Sequence, residues 1–243
     1  DRGGIVMFDE RGVSEVVGFV IVFGLIIGSV GILYVSGFSA MEDFQEGEQT
    51  KNAERALDAM AENFNDIQRN DGINTRSSEL NLRGGTIQTD TNETNMTLTV
   101  REGGVEIYDN ELSLGAFTYE HDGAKFAYHG GGVFRETEEG GFAVRDPPIK
   151  CKDDNRAIVS LAVVEGDDVR VMASGGREIT ASKQGKAEVY TGDEVDITIE
   201  DSTFDDGWDR FLDDWGENGD YSCGEEDEGH VVVRITTINI SYD

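Results

Sequence analysis

The stretch Glu10-Arg11-Gly12-Val13-Ser14-Glu15 runs directly into residues 16–41, a segment without a single charged side chain. About 20 consecutive apolar residues are enough for a helix to cross a bilayer. The flanks are unequal. Arg2 and Arg11 lie before the run, whereas Glu42, Asp43, Glu46 and Glu48 follow it. Basic residues favour the cytoplasmic side and acidic ones count for little, so the pattern predicts a cytoplasmic N-terminus with everything after the run exported. A secretory signal peptide has an apolar core of about 7–15 residues and a small-residue exit. This run is longer and passes into a charged helical pattern. A single-span anchor accounts for the run but requires nothing beyond it.

The helical pattern continues. Ala53, Leu57, Met60, Phe64 and Ile67 recur at alternating spacings of four and three, one apolar stripe, with Glu54, Arg55, Asp58, Glu62 and Asp66 on the other faces. Ser36-Gly37 and Gly47 are places where the helix can bend, and Asn70-Asp71-Gly72 reads as its stop. A helix over 13–70 would be roughly 85 Å long at about 1.5 Å per residue, more than twice the hydrocarbon thickness of a bilayer. Gly24 and Gly28 stand at the small-xxx-small spacing that lets membrane helices approach closely.

After Gly72 the period changes from helical to two. Short apolar alternations at 79–83, 86–89, 96–101, 105–108, 115–121, 125–128 and 132–136 are separated by Gly, Asp and Asn, and 145–154 reads as a loop. The alternation resumes at 157–165, 169–173, 178–182, 187–190, 194–200 and 230–242, the last read as a central strand. This predicts an α+β chain: a long N-terminal helix followed by a β-rich, antiparallel, sandwich-like head. One helix interrupts the strands. Phe204, Trp208, Phe211, Leu212 and Trp215 form an amphipathic face, with Ser202 or Thr203 as cap and Gly216 or Gly219 as stop. That face suits packing across a sheet; a carbohydrate platform is the alternative.

Fifty acidic residues against twenty basic ones give a formal charge of −30. Such self-repulsion weakens a compact state in dilute buffer but is screened at molar salt, so the surface reads as halophilic. It excludes a nucleic-acid partner, which requires a basic surface. Cys151 and Cys223 lie far apart and outside any Cys-x-x-Cys pair, and in an exported chain they are expected to form a disulfide. His121, His129 and His230 show no ligand spacing, and Phe204 breaks the EF-hand pattern at 201–207, so neither a metal nor a cofactor is expected. No nucleophile elbow or phosphate loop accompanies the Gly-rich stretches, and the chain reads as a non-enzyme. Asn92-Glu93-Thr94 and Asn95-Met96-Thr97 are sequons at a polar turn, where a glycan at Asn92 or Asn95 would project into solvent; a third sequon begins at Asn239.

The segment Arg11-Gly12-Val13-Ser14-Glu15-Val16-Val17-Gly18 resembles the class III signal and helix start of archaeal type IV pilins and archaellin-like proteins. The resemblance is specific over about thirty residues. It implies a cut between Gly12 and Val13 by a membrane peptidase, with the apolar helix kept on the mature chain. The sequence departs from many archaeal adhesion pilins, which carry Pro at the position of Glu15. Glu15 would lie two residues from the new amine of Val13, either neutralising it or a neighbour's amine, or resting at the lipid headgroups. The organisation expected is leader 1–12, helix 13–70 and acidic exported head 71–243. Asp1 opens the sequence, which makes Met7 a candidate start. The resemblance further implies a cell-surface filament of identical subunits joined through their N-terminal helices, with Glu15, Gly24 and Gly28 at the assembly surface. The prepilin peptidase, the pilus assembly machinery and the membrane are the partners it implies. A membrane-anchored exodomain that binds a ligand and does not polymerise is the alternative.

Overall fold

The computed structural model describes residues 10–152, 155–213, 215–217 and 220–242. The expected leader therefore lies largely outside the described residues. Helix α1 spans Glu10–Arg69 and passes through Ser36-Gly37 and Gly47 without a break in its helical assignment. Asn70 closes it, its backbone N–H donating to the Asp66 carbonyl at 3.1 Å, and the chain turns at Asp71-Gly72. The chain divides into two compact units within this helix, one ending at Glu48 and the other comprising Gln49–Asp243.

The second unit is β-rich, and the whole is α+β. Its strands are β1 (Thr75–Glu102), β2 (Val105–His121), β3 (Ala124–His129), β4 (Gly132–Thr137), β5 (Gly140–Arg145), β6 (Ile149–Lys152) and β7 (Arg156–Gly166). There follow β8 (Val171–Lys183), β9 (Glu188–Gly192), β10 (Glu194–Glu200), helix α2 (Asp205–Leu212), β11 (Gly216–Glu217), β12 (Asp220–Gly224) and β13 (His230–Tyr242). Among the described residues they join in one hydrogen-bonded sheet of order β5-β4-β3-β2-β1-β8-β13-β7-β6. Strand β10 branches from β1 and carries β12 and β11, and β9 pairs with β13.

Several strands expected as separate pieces are continuous. Gly84 and Gly85, both at positive φ, fall at a register shift between Arg83 and Thr86, and a second shift lies between Asp90 and Thr94. These irregularities bend β1 without ending it, which is how bulges act. The sheet is also not wholly antiparallel: β13 pairs parallel with β7, from His230↔Arg156 to Ile240↔Gly166. The expected loop at 145–154 contains β6. Helix α2 stops at Leu212, short of the expected glycine stops, and Gly216 begins a strand instead. Phe204 is its N-cap residue without a side-chain cap bond. Ser202 Oγ instead accepts from the Phe204 N–H at 3.0 Å.

Side-chain alternation gives the sheet an apolar group on each face. On one face Leu80, Ile87, Phe117, Phe126, Ala162, Ile179 and Ile238 meet Ala53, Leu57, Met60, Ala61, Phe64 and Ile67 of α1, the helical residues all fully buried. On the other, Leu98, Val100, Leu114, Phe134, Val159, Val195, Ile197 and Val233 enclose Phe204, Trp208 and Leu212 around α2. Trp208 is buried 4.9 Å from the Phe134 ring, so this tryptophan is core and not a platform.

Candidate functional site

The first unit is defined by an apolar helical surface. Val16–Phe38 has a mean hydropathy of 2.8 over 23 residues, and none of it is buried. It is one helix long and apolar enough to cross a membrane. Its two serines are satisfied inside the helix, Ser29 Oγ donating to the Ile26 carbonyl at 2.9 Å and Ser36 Oγ to the Ile32 carbonyl at 2.8 Å. Neither serine therefore needs an outside partner along this stretch. At Gly24 and Gly28, the space a Cβ would fill is open within 4 Å. The helix thus offers two grooves one turn apart to whatever packs against it. The Gly12–Val13 bond lies in the first turn of α1, where backbone N–H groups lack intrahelical partners. The side chain of Glu15 lies outside the described residues.

In the second unit, the end of α1 is fixed by a buried polar network. Asn65 and Gln68 are 2% and 1% exposed, although they belong to a helix whose stripe is otherwise apolar. Asn65 Nδ2 donates to the Gly131 carbonyl at 2.8 Å, and Asn65 Oδ1 accepts from Tyr128 Oη at 3.0 Å and from Gln68 Nε2 at 2.9 Å. Ser160 Oγ donates to Gln68 Oε1 at 3.0 Å. Burial pushes the Tyr128 phenol up, so it stays a neutral donor. Gly130 and Gly131, with φ of 59° and 94°, make the two-residue turn between β3 and β4, which demands positive φ at both positions. Around the helix, Arg135 pairs with Glu54 at 3.0 Å, Arg145 with Asp58 at 2.5 Å and with Glu62 at 2.7 Å, and Arg76 with Asp66 at 3.2 Å. A chain with only twenty cations places three of them on one helix.

Where α1 ends, the same face of the sheet continues uncovered. The register sets Lys150 beside Ile158, Ile158 beside Val232, and Arg234 beside both Ser160 and Val189. Ile158 is 61% exposed, Val232 41% and Val189 53%. With the end of α1, Ile158 and Val232 shape a groove of about 420 Å³ whose lining contains Arg69, Lys150 and Arg234 but no Asp or Glu. Arg234 pairs with Asp71, and this guanidinium bond holds the Asp71 carboxyl below its ordinary range. Arg69 reaches Glu62 at 3.5 Å. Lys150 has no ion pair among the described residues. Sequence reading missed this groove because the run from Val231 to Val233 looks like a strand buried on both faces. Its only signal is Arg234 at the end of that run.

Cys151 and Cys223 are joined in a disulfide with Cα atoms 6.0 Å apart, tying β6 to β12 across 72 residues. Asn92 is exposed at the second irregularity of β1, its backbone N–H donating to Asp90 Oδ1 at 3.0 Å and its own Oδ1 accepting from Ser113 Oγ at 3.0 Å. Asn95 is half-buried within the ladder, opposite Ser113 and Glu200, and Asn239 lies between Glu165 and Ser182. Of the three, Asn92 is the exposed one. His129 is buried between Phe204 and Trp208, its Nδ1 3.0 Å from the Gly115 carbonyl, and burial lowers its pKa to about 4. A carbonyl only accepts, so the neutral ring carries its proton on Nδ1. Among the described residues, no group of three His, Cys, Asp or Glu side chains could hold a metal ion.

These features define an α+β protein in which a membrane-length N-terminal helix leads into a β-rich domain docked on that helix's second half. The chain belongs to DUF7289, a family of unknown function whose model matches residues 11–240. No curated protein and no solved structure matches it.

Proposed function

We propose that this chain is a structural subunit of a type IV pilus-like cell-surface filament, inserted in the membrane as a precursor, cut between Gly12 and Val13, and assembled through its N-terminal helix. The observation that carries the reading is the division of labour along α1. Val16–Phe38 leaves its whole circumference apolar and open, whereas the stripe from Ala53 to Ile67 is fully buried by the β-rich unit. A simple anchor needs only the first part. A filament subunit needs both, one part to pack against copies of itself on leaving lipid and the other to hold a head. Gly24 and Gly28 suit the close approach of like helices. The β-rich unit is read as a sandwich-like head, halophilic and acidic, facing outward. The prepilin peptidase, the assembly machinery and identical subunits are the partners of this reading, with no catalytic activity and no cofactor.

The test is made on cells producing the full chain. Under this reading, mass spectrometry of the native protein finds Val13 at the N-terminus, and electron microscopy of sheared surfaces finds filaments that disappear when residues 13–36 are deleted. A chain that retains residues 9–12 and leaves surface filaments unchanged on deletion is instead the anchored exodomain.

A further inference from the structure

The groove beyond the end of α1 is anomalous in this molecule. Acidic residues outnumber basic ones by fifty to twenty, yet its lining holds three cations and no carboxylate. Its floor is apolar and open at Ile158 and Val232. The groove therefore fits a partner that projects apolar side chains among carboxylates. One such surface exists on the same chain. Strands β1 and β2 meet in a tight hairpin at Gly103-Gly104, both at positive φ, with Glu102 opposite Val105. Val105 and Ile107, 63% and 41% exposed, stand two residues apart and so on one face of β2. Carboxylates predominate around them, with Arg101 paired to Glu106 at 3.6 Å. Glu102, Glu106 and Asp109 are on the hairpin. The acidic loop 225–228 is fastened beside it, because Asp193 Oδ2 accepts from the backbone N–H groups of Gly103 at 2.7 Å and of Asp227 at 3.0 Å.

We infer that the β1–β2 hairpin tip of one copy docks in the Lys150–Ile158–Val232 groove of a second copy, a head-to-head contact between two different surfaces. The inference deepens the filament reading and rests on it for the occupant being this same chain. Two unlike, complementary patches on one chain make a heterologous contact, which propagates along an assembly where a self-complementary patch would stop at a dimer. At molar salt the ion pairs are weakened to short range. Val105 and Ile107 against Ile158 and Val232 then supply the attraction, while Arg69, Lys150 and Arg234 set register against the hairpin's carboxylates and disfavour basic faces.

The experiment places a photo-crosslinking benzoylphenylalanine at Ile158 in the full chain, on cells and again after extraction into detergent at molar salt. The expected product runs at twice the chain mass on a denaturing gel, and its crosslinked peptide contains residues 105–111. Lys150→Glu and, on the opposing surface, Glu226→Lys each lower its yield about two- to fivefold, the range of a partly exposed ion pair. Crosslinks confined to one chain, to another segment of a second copy, or to a different protein overturn the inference, as does the absence of crosslinking. Filaments without the 105–111 crosslink leave the filament reading standing and remove this contact. The crosslink in chains that never form filaments keeps the contact and removes the filament.

Discussion

At the scale of single residues, Asn65 and His129 show opposite uses of a buried polar group. Asn65 exchanges hydrogen bonds with Gly131, Tyr128 and Gln68, so it sets where α1 stops along the sheet in a way that apolar packing does not. Truncating it strands three buried groups, each of which costs about 1–3 kcal/mol when left unpaired, with some relaxation to offset the sum. Asn65→Ala should therefore lower the unfolding free energy by about 3 kcal/mol in a urea titration with the slope unchanged. A loss below about 0.5 kcal/mol would show that the network is incidental. His129 acts through pH. Its folded pKa, about 4, lies below the value of about 6.5 for an unfolded histidine, so the unfolded chain takes up the proton first as the medium is acidified. Its contribution is complete above pH 6.5 and is lost as pH falls toward 4, about 3 kcal/mol in all. Carboxylates titrate near the lower end of that window, so the quantity to measure is the difference between wild type and His129→Gln. That difference should shrink from pH 7 to pH 4.5, and a constant difference would mean that the ring is not held neutral.

At the scale of elements, the disulfide joins β6, which ends the main path of the sheet, to β12, which lies on the branch from β10. Chain-entropy arguments for a closed loop of this length give about 4 kcal/mol of stabilisation through the unfolded state. Cys151→Ala/Cys223→Ser should lower the unfolding free energy by that order while leaving the far-ultraviolet spectrum at low denaturant unchanged. A double variant as stable as wild type would make the bridge an ornament of β6. The elements differ in how far they can be read from sequence. The stripe from Ala53 to Ile67 was legible because helical burial repeats at a fixed period, and β13 because a long apolar run carries few alternatives. Strand β6 was not, since Ile149-Lys150-Cys151-Lys152 is too short to show alternation and follows Pro147-Pro148. Gly84-Gly85 and the polar stretch 90–95 read as turns, because a bulge and a turn use the same residues and only the partner strand decides between them. The parallel pairing of β13 with β7 was hidden for a related reason: two apolar strands do not encode their relative direction. At the candidate site, the open apolar helix and its glycines were visible in composition alone. The groove was not, because its exposure depends on where along the sheet α1 is seated, and Asn65 and Gln68, which seat it, are polar residues that a hydropathy pattern assigns to solvent.

At the scale of the whole molecule the dominant quantity is the charge of −30. Some of the few cations sit on the flank of α1 and along the groove, and Arg101 alone serves three carboxylates, pairing with Glu194 at 3.4 Å, with Glu106 at 3.6 Å and with Asp196. Most carboxylates are consequently left facing others of their own sign, and the compact state bears that repulsion while the unfolded chain relieves it by expanding. Screening changes the balance. The Debye length falls from about 10 Å at 0.1 M salt to about 3 Å at 1 M, shorter than the spacing of most surface charges but comparable to the ion pairs that hold α1. Long-range repulsion should thus vanish before the local attractions do. The expected outcome is a thermal midpoint that rises steeply between about 0.1 and 1 M KCl and then flattens. Sucrose at matched osmolarity separates this account from preferential exclusion, which also favours compact states. If sucrose reproduces the rise, or if the midpoint is independent of salt, self-repulsion is not what limits this fold. The same titration read on Lys150→Glu then isolates the groove, because adding a carboxylate there should lower the midpoint more at 0.1 M salt than at 1 M.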